Sequence, residues 1–403
     1  MPLLFSLILC ARRTDQLGPL MVALGHQRLR NFEIILVSPS GDLVPEGPDG
    51  IPLTHVPFDE MNLSAARNAG LAAAKAPLVA YIDDDAIPEF PWLMSLAEGF
   101  ADPSVASATG PVRSRNGVSI QSGAVMVDRM GRETSFMPDD VLIRQKEGSA
   151  LKTVGTNMAF RAEALRAIGG FDPAFHYYLE EADVNLRLAA AGWSAAWCFL
   201  AEVHHYQGES PYRGVNRVPT SLYEIGASTA VFAAKHAGDK AAQLIDDARA
   251  EQRRRVFRFL EEGPLEPGDV DPLIASFDEG VEEGANREPL ETVLAHPTPA
   301  LLPDAETRNP KGRFLKGRLY NRKWRMDAAR EAAAEGEEVT LLIIEPTARP
   351  LRVRFHEGGY WLHQIGQFGR ASRNDRILRL RSTVRIVEAE RRRIAMLRNF
   401  PMV

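Results

Sequence analysis

At 403 residues the chain is longer than one ordinary hydrophobic core supports, and its 45% hydrophobic and 25% charged residues are typical of a globular protein. The net charge of −5 is unevenly distributed, since residues 301–403 hold 22 basic and 12 acidic residues, a net of +10, and the rest of the chain carries −15. The acidic body argues against a nucleic-acid-binding protein, and no apolar stretch is long enough to cross a bilayer.

The apolar N-terminus, MPLLFSLILCARR, has no basic residue before its apolar run, unlike a secretory signal. We interpret it as a buried first strand and expect a cytoplasmic protein, with peripheral association at the inner face of the membrane as an extension of that expectation. In that compartment Cys10 and Cys198 are expected to stay thiols, and a single disulfide between them is the alternative.

Residues 1–205 alternate short apolar runs with helical patterns, which predicts an α/β fold with a mostly parallel sheet and flanking helices. The predicted strands are Leu3–Cys10, Phe32–Val37, Ile51–Val56, Pro77–Ile82, Val105–Val112 and Ser194–Val203, with a hairpin over Val118–Val127. The predicted helices are Asp15–Gln27, Asn62–Ala74, Trp92–Phe100, Arg161–Ile168 and His176–Ala191.

The following part of the chain is predicted to be helical and then irregular. Residues 221–262 have a helical pattern with a break at Gly238. Residues 263–310 are rich in Pro, Gly and acids, which predicts a linker that holds one short helix over Asp271–Glu283.

The C-terminal part begins with a basic stretch, KGRFLKGRLYNRKWR, ahead of a predicted helix, a strand over Val339–Glu345 and extended segments. A last helix is predicted from about Asp375 to Arg398, and we expect it to pack on its own domain, with a membrane-surface or oligomerising helix as the alternative. Its apolar stripe consists of Ile377, Leu380, Val384, Val387 and Ile394.

These observations predict three units. Residues 1–218 form the α/β domain, residues 219–300 a helical segment with an acidic linker, and residues 311–403 a small basic α+β unit.

The first candidate functional motif is the IDDD at Ile82–Asp85, at the end of a predicted strand. Ligands of open α/β sheets collect at this edge, and three adjacent carboxylates need a divalent cation or positive partners to offset their repulsion. An acidic surface turn is the alternative interpretation.

The second motif is LEEADVNLRLAAAGW, in which Asp183 can pair with Arg187 at a spacing of four on a helix. That pairing leaves Glu181 free to point elsewhere, whereas an exposed charged helix is the alternative. The third motif is VHHYQGES, where one of His204 and His205 can supply an imidazole to a metal and the other is expected to be structural.

Together and in this order, these motifs resemble the family 2 glycosyltransferases of the GT-A fold over roughly residues 3–215. Three further segments agree with the resemblance: FEIILVSPSGD, MNLSAARNAGLAAAKAPLVAYIDDDAIP and VGTNMAFRAEALRAIGGFDPAF. The resemblance implies a GT-A type mostly parallel sheet and a metal-dependent inverting transfer of a sugar from a nucleotide-diphosphate donor.

The resemblance also implies roles for individual residues. Asp85 and His205 would bind Mn²⁺ or Mg²⁺, and Glu181, with Glu180 as the alternative, would be the catalytic base. The implied nucleotide or donor contacts are Ala11, Arg13, Ser38, Arg67, Asp83, Asp84 and Asn157. The implied acceptor-side residues are Gly170, Phe171 and Asp172.

The chain departs from the family pattern at two places. The acid pair is Glu180–Glu181 where the family usually has Glu-Asp, and Ser38 stands where the family's first aspartate often reads the uracil ring. The identity of the base in the donor therefore stays open.

The implied partners are a nucleotide-diphosphate sugar and a carbohydrate, lipid-linked or protein acceptor, with contact between the basic C-terminus and an anionic membrane. A catalytically degenerate module that binds a sugar nucleotide or a partner without turnover is the main alternative. A pyrophosphorylase would need a glycine-rich first loop, which ARRTDQLG is not.

Overall fold

The computed structural model describes residues 2–206, 208, 214, 217–288, 303–372, 375 and 382–400, and an eight-stranded sheet lies at its centre. In spatial order its strands are β11 (Leu142–Ile143), β14 (Ser194–Trp197), β6 (Val105–Thr109), β13 (Met158–Arg161), β4 (Leu78–Tyr81), β1 (Phe5–Cys10), β2 (Phe32–Ser38) and β3 (Leu53–Pro57). The last four run parallel, whereas β13 runs antiparallel to both neighbours. The predicted mostly parallel α/β sheet is therefore confirmed.

Helices cover the sheet, because its central strands are mostly apolar and are buried almost along their whole length. These helices are α1 (Gly18–Gly25), α2 (Leu63–Ala73), α3 (Trp92–Gly99), α4 (Ala162–Ala167) and α5 (Glu180–Ala190). Helix α2 begins at a true N-cap, since the Asn62 side chain accepts a hydrogen bond from the Ala65 amide at 3.0 Å. A Cβ at Gly70 would lie 2.4 Å from Ile8, so only glycine lets α2 approach β1 this closely.

Helix α5 is shorter than predicted. The sequence predicted a helix from His176, but Tyr178 and Leu179 adopt φ values of 80° and 69°, and the helix begins only at Glu180. Left-handed backbone at two successive non-glycine residues is strained, and here it directly precedes the glutamate pair.

Two smaller sheets lie beside the large one. They consist of β5 (Ala86–Pro88), β15 (Val203–His205), β7 (Val112–Arg113) and β8 (Ile120–Ser122), and of β10 (Glu133–Ser135), β9 (Val125–Asp128) and β12 (Ser149–Leu151). The predicted hairpin over Val118–Val127 is wrong, because β8 and β9 belong to different sheets. The single strand predicted over Ser194–Val203 is also wrong, since the chain leaves the large sheet after Trp197 and turns before β15. The apolar periodicity of the sequence identified extended segments, but it did not show which strand each segment pairs with.

The helical segment consists of α6 (Tyr223–Phe232), a π-helical turn over Ala233–Ala237, α7 (Ala241–Glu261) and α8 (Pro267–Gly284). The predicted break at Gly238 is present, with φ 56°. The predicted linker instead holds the long helix α8, which packs closely on α6: a Cβ at Gly280 would lie 1.9 Å from the Tyr223 carbonyl oxygen. Residues 289–302 of the predicted linker lie outside the described residues.

The C-terminal unit is a four-stranded sheet with two helices. Its elements are β16 (Gly312–Arg318), α9 (Arg322–Ala334), β17 (Glu338–Glu345), β18 (Arg352–His356), β19 (Tyr360–Gly366) and α10 (Thr383–Ile394), with strand order β16-β17-β19-β18. Strand β16 was not predicted, because its basic side chains alternate with few apolar ones at the edge of the sheet. One apolar cluster includes Leu342 and Trp361 of this unit together with Leu7 and Leu36 of the large sheet.

The last helix is shorter than predicted and packs through only part of the predicted stripe. Ile377 and Leu380 of the predicted stripe lie outside the described residues, and Val384 is 64% exposed. Ile394, a member of the predicted stripe, is buried, as is Ile386, which was not predicted.

Two further features bear on the sequence predictions. Cys10 and Cys198 are free thiols and not a disulfide. Among the described residues, none of the helices combines the length and the apolar character that crossing a bilayer requires.

Candidate active site

The three aspartates of the IDDD motif lie at the carboxyl end of β4, in the turn that leads into β5. Strand β1 runs parallel beside β4, so the residues that follow Cys10 lie at the same edge of the sheet. The topology therefore places this acidic turn where open α/β sheets bind ligands.

Two of these aspartates meet a histidine from another strand. Strand β15 pairs antiparallel with β5, and this register brings His205 opposite Ala86. The ligand atoms of Asp83, Asp85 and His205 all lie within 4.8 Å of one another, and His205 Nε2 is 3.1 Å from Asp85 Oδ1. The structure thus brings together the two residues that the sequence predicted as metal ligands, with Asp83 as a third candidate.

The donor set fits a divalent transition metal. Gln121 Nε2 lies 3.1 Å from His205 Nδ1, which fixes the ring and leaves Nε2 directed at the carboxylates. Carboxylate oxygens suit Mg²⁺ and Mn²⁺, and an imidazole favours a transition metal, so the mixed set favours Mn²⁺ over Mg²⁺. Gln121 was not predicted, and nothing in its sequence context indicated it.

The electrostatics of the turn agree with such a site. Burial, followed by the charges of Asp85 and Asp83, raises the pKa of Asp84 to about 7. Burial also raises the pKa of Asp83, against the lowering effects of His205 and Arg67. Carboxylates that resist ionisation in this way would be stabilised as anions by a bound cation.

The glutamate pair is organised by one arginine from α2. Arg67 Nη1 donates to Glu180 Oε1 at 3.0 Å, and Arg67 Nη2 lies 3.6 Å from Glu181 Oε1. The arginine is only 3% exposed, and its guanidinium lies 5.2 Å from the centre of the Phe171 ring. Arg67 was predicted to contact the nucleotide, but in this conformation it is buried and its guanidinium faces the glutamates.

The two glutamates have different environments. Glu180 is buried, and its Oε2 has no hydrogen-bond partner among the described residues. Burial and then the charge of Glu181 raise the pKa of Glu180 to about 7, although Arg67 opposes the shift. The Glu181 side chain is 15% exposed, so it is the member of the pair that a substrate can reach.

The edge of the sheet at which the nucleotide is predicted to bind contains a cavity of about 150 Å³. It lies between the ends of β1 and β2 and the start of α2. Its apolar walls include Val37, Pro39, Phe58, Met61, Leu63 and Ala66. Phe58 and Met61 were not predicted as site residues, although apolar side chains in the polar loop FDEMN were an available signal.

The three residues predicted near the base or ribose have different positions. Ala11 lines the cavity, whereas Arg13 is exposed and paired with Asp15, and its neighbour Arg12 lines the cavity in its place. The Ser38 hydroxyl is engaged by His55 Nε2 at 3.0 Å.

Asn157 lies beneath the site and not in it. It has no solvent exposure, its amide group donates to the Ala201 carbonyl at 2.7 Å, and its carbonyl oxygen accepts from Trp92 Nε1 at 2.8 Å. The prediction of a donor contact is therefore corrected to a supporting role in this conformation.

The predicted acceptor-side turn is also buried. Phe171 has no solvent exposure, and the Gly170 carbonyl accepts a hydrogen bond from Arg187 at 2.7 Å. Asp172 is 7% exposed and accepts from Lys235 at 2.7 Å. An acceptor cannot contact the buried Phe171 side chain here. The turn instead packs against Arg67. Arg187 also pairs with Asp183 at 2.6 Å, which confirms the predicted spacing-four pair.

His204 belongs to a second, separate cluster. Its Nε2 lies 3.2 Å from Glu89 Oε1 and 3.5 Å from Glu202 Oε1, and all three residues are buried. Although the cluster has metal-ligand chemistry, Arg398 pairs with Glu89 at 2.6 Å and Arg113 pairs with Glu202 at 2.7 Å. Two arginines already neutralise the two carboxylates, so this cluster is structural, as the sequence predicted for one of the two histidines.

Residues 47–217 match a family described as "Glycosyltransferase like family 2". A "Pre-mycofactocin glycosyltransferase" of Mycobacterium tuberculosis is 31% identical over 229 residues, which cover 54% of this chain and 45% of that protein. An "N-acetylglucosaminyl-diphospho-decaprenol L-rhamnosyltransferase" of the same organism is 35% identical over 86 residues, or 21% of this chain and 27% of that protein. The chain thus spans less than half the length of these curated relatives.

Solved structures were also found. The mannosyltransferase PcManGT from Pyrobaculum calidifontis, in complex with GDP-Man and Mn²⁺, is 15% identical, with a TM-score of 0.40 over 70% of this chain and 87% of that one. GalNAc-T7 with UDP, GalNAc and Mn²⁺ is 16% identical, with a TM-score of 0.43 over 57% of this chain and 49% of that one.

Proposed function

We propose that this chain is a metal-dependent inverting glycosyltransferase that uses a nucleotide-diphosphate sugar, since residues 47–217 match the family described as "Glycosyltransferase like family 2". The observation that carries the proposal is the convergence of Asp83, Asp85 and His205 on one point at the carboxyl edge of the sheet. A partly exposed glutamate, Glu181, is linked to the same site through Arg67.

Asp85 and His205 would hold the metal ion, with Asp83 beside them. A bound divalent cation would act as a Lewis acid that offsets the charge on the leaving diphosphate. The apolar cavity beside Ala11 would take the base of the donor, since a flat ring is buried well between apolar walls.

Glu181 would act as the general base. It would accept the proton of an acceptor hydroxyl as the oxygen bonds to the anomeric carbon and the bond to the diphosphate breaks. Arg67 holds the Glu180 carboxylate and faces that of Glu181, so the glutamates enter the reaction already oriented. A single base opposite the leaving group implies inversion.

The alternative is a degenerate module that binds a sugar nucleotide without turnover. Both functions predict nucleotide binding, so turnover must be measured directly. Thermal shift with a panel of nucleotide sugars, with and without Mn²⁺, would identify the donor, because a bound ligand stabilises by mass action. Release of nucleoside diphosphate from that donor, and an inverted anomeric configuration in the product, are the expected results. Tight donor binding without any release, with or without candidate acceptors, would instead support the degenerate module.

The C-terminal unit presents a surface that suits an acceptor held at a membrane. We define the basic–aromatic patch as Lys316, Leu319, Tyr320, Lys323 and Trp324. Its three apolar side chains are 47%, 88% and 63% exposed, and its two lysines form no ion pair with any described residue. Exposed aromatic and basic side chains together favour the interface of an anionic membrane. Of the acceptor classes considered, a lipid-linked sugar therefore fits this surface best.

A further inference from the structure

Two adjacent histidines of β15 point in opposite directions. Successive side chains of a strand alternate between its faces, so His205 faces Asp85 and His204 faces Glu89. A contact that holds the His204 side chain on its face of β15 therefore also fixes the direction of the His205 side chain.

His204 is held by a residue of the C-terminal unit as well as by Glu89. The ring of Trp361, in β19, lies 4.3 Å from the His204 ring between centroids, with an interplanar angle of 43°. His204 is 2% exposed and Trp361 is fully buried, so neither ring can turn without disturbing its neighbours.

Glu89 in turn depends on Arg398, close to the end of the described chain. Arg398 donates to Glu89 from Nη2 at 2.6 Å and from Nε at 3.1 Å, and both side chains are 1% exposed. Arg398 is fixed by Thr340 at 2.7 Å and by His363 at 2.8 Å, and its guanidinium lies 4.9 Å from the Trp361 ring. This bidentate contact gives Glu89 a counter-charge and fixes the orientation of its carboxylate.

The residue on the other side of His205 is held in the same way. Tyr206 Oη accepts a hydrogen bond from the Phe355 amide of β18 at 3.1 Å, and the Tyr206 amide donates to the Asp85 carbonyl at 2.9 Å. Both chain neighbours of His205 therefore contact the C-terminal unit.

We infer that Arg398 and Trp361 are positioning residues for the metal site, acting on His205 through Glu89, His204 and the backbone of β15. The inference rests on the proposed metal-dependent function. It also changes the expected role of residues 311–403. The sequence predicted only that the basic C-terminus contacts an anionic membrane, whereas removal of this unit would take Arg398 away from Glu89 and uncover His204.

Mn²⁺ affinity tests the inference without using turnover. We would titrate the full-length chain with Mn²⁺ and follow the free ion by electron paramagnetic resonance. The test variant is Glu89→Gln/Arg398→Met, which removes both charges together and so leaves no unpaired buried ion. Loss of a residue that orients a metal ligand typically weakens binding by about 10–100-fold, and we expect a loss in that range.

The matched control is Arg28→Met/Glu338→Gln. This second buried ion pair also joins the two units, at 2.6 and 2.7 Å, and it binds the backbone of Leu397 and Asn399 on either side of Arg398. Neither of its side chains contacts His204 or Glu89, so it separates general docking from the Arg398 side chain. We expect it to lower the melting temperature and to leave the Mn²⁺ dissociation constant within about twofold of wild type, a change well below that of a lost orienting residue. An equal loss of Mn²⁺ affinity in the control would overturn the inference, because general docking would then explain it.

Trp361→Phe is the second variant, in case the double substitution does not fold. Trp361 Nε1 has no hydrogen-bond partner among the described residues, so phenylalanine removes no hydrogen bond and reduces the ring contacts with His204, Arg398 and Phe355. A several-fold weaker Mn²⁺ affinity is expected. If wild type and both test variants bind Mn²⁺ equally well, the inference about Arg398 and Trp361 is wrong, but the proposed function is unaffected. If wild type does not bind Mn²⁺, both the inference and the proposed metal-dependent function are wrong.

Discussion

Arg67 donates to Glu180 across 3.0 Å in a region closed to solvent, and the same guanidinium faces Glu181 at 3.6 Å. A buried arginine carries one positive charge, so it can offset only one of the two carboxylate charges beside it. The pair is therefore asymmetric, with Glu180 as the anchored member and Glu181 as the accessible one. This asymmetry leads to the first prediction.

Glu181→Gln should bind the donor normally but lose transfer by about 10²–10⁴-fold, because an amide cannot accept the proton of the acceptor. Glu180→Gln should retain more activity, since glutamine can still accept the hydrogen bond from Arg67. Steady-state turnover and donor affinity of both variants provide the measurement. A larger loss of turnover in Glu180→Gln than in Glu181→Gln would reassign the base to Glu180.

The substitution Gly155→Ala should disturb the contact between Arg67 and Glu181. A Cβ at this position would lie 2.5 Å from Arg67 Nη2 and 2.8 Å from Glu181 Oε1, so one of the two must move. We expect turnover to fall by at least about tenfold with little change in melting temperature, because misplacement of a catalytic group is costly. Gly18→Ala is the control, since nothing lies within 4 Å of its Cβ position. Equal turnover in the two variants would contradict the prediction.

Asp85→Asn and His205→Gln should each weaken Mn²⁺-dependent donor binding and leave the fold intact. Both remove a candidate ligand of the ion, and Asp85 is 23% exposed, so the substitution disturbs little packing. Isothermal titration of the donor with and without Mn²⁺ measures the effect. Asp139→Asn, on an exposed loop, is the control. An unchanged Mn²⁺ requirement in both ligand variants would show that the metal is held elsewhere.

Much of this site was visible in the sequence. The apolar run that ends in the IDDD turn was identifiable, and the family resemblance indicated Asp85 and His205, which the fold does bring together. Their role as metal ligands stays a prediction. Arg67 could not be assigned from its motif, because a motif gives the residue type but not the face of α2 from which it points. Asn157 and Phe171 were predicted to touch substrates for the same reason, and their complete burial depends on packing that the sequence does not state.

The contacts of the C-terminal unit were beyond sequence reasoning. Arg398 lies 309 positions from Glu89, and nothing local marks either as a partner. A cluster of arginines near the C-terminus predicted a basic surface, yet Arg398 is buried and completes an ion pair with Glu89. Long-range charge pairing of this kind is fixed by tertiary structure and not by composition.

The basic–aromatic patch should bind anionic vesicles. Each basic residue near such a surface contributes about 1 kcal/mol, so Lys316→Glu/Lys323→Glu should lower the partition coefficient onto phosphatidylglycerol vesicles by at least about tenfold at low salt. Salt should weaken wild-type binding through screening. The control Lys146→Glu/Lys240→Glu makes the same change of charge at exposed positions elsewhere. Equal co-sedimentation of the two double variants would exclude the patch as the contact surface.

The last prediction concerns the pH dependence of stability that Glu180 imposes. Burial, with the nearby charge of Glu181, raises the pKa of Glu180 to about 7, whereas a glutamate in an unfolded chain has a pKa of about 4.3. Between these values the folded protein binds more protons at this position than the unfolded chain does. The contribution of Glu180 to the free energy of unfolding is therefore fully present below about pH 4.3 and is lost as the pH rises towards 7.

Glu180→Gln cannot ionise, so its free energy of unfolding should decline less steeply over this window than that of wild type. Urea denaturation at pH 5, 6, 7 and 8 measures the two slopes, with Glu262→Gln as an exposed control. If wild type and Glu180→Gln decline in parallel, Glu180 ionises in the fold as it does in water, and Arg67 alone compensates its burial.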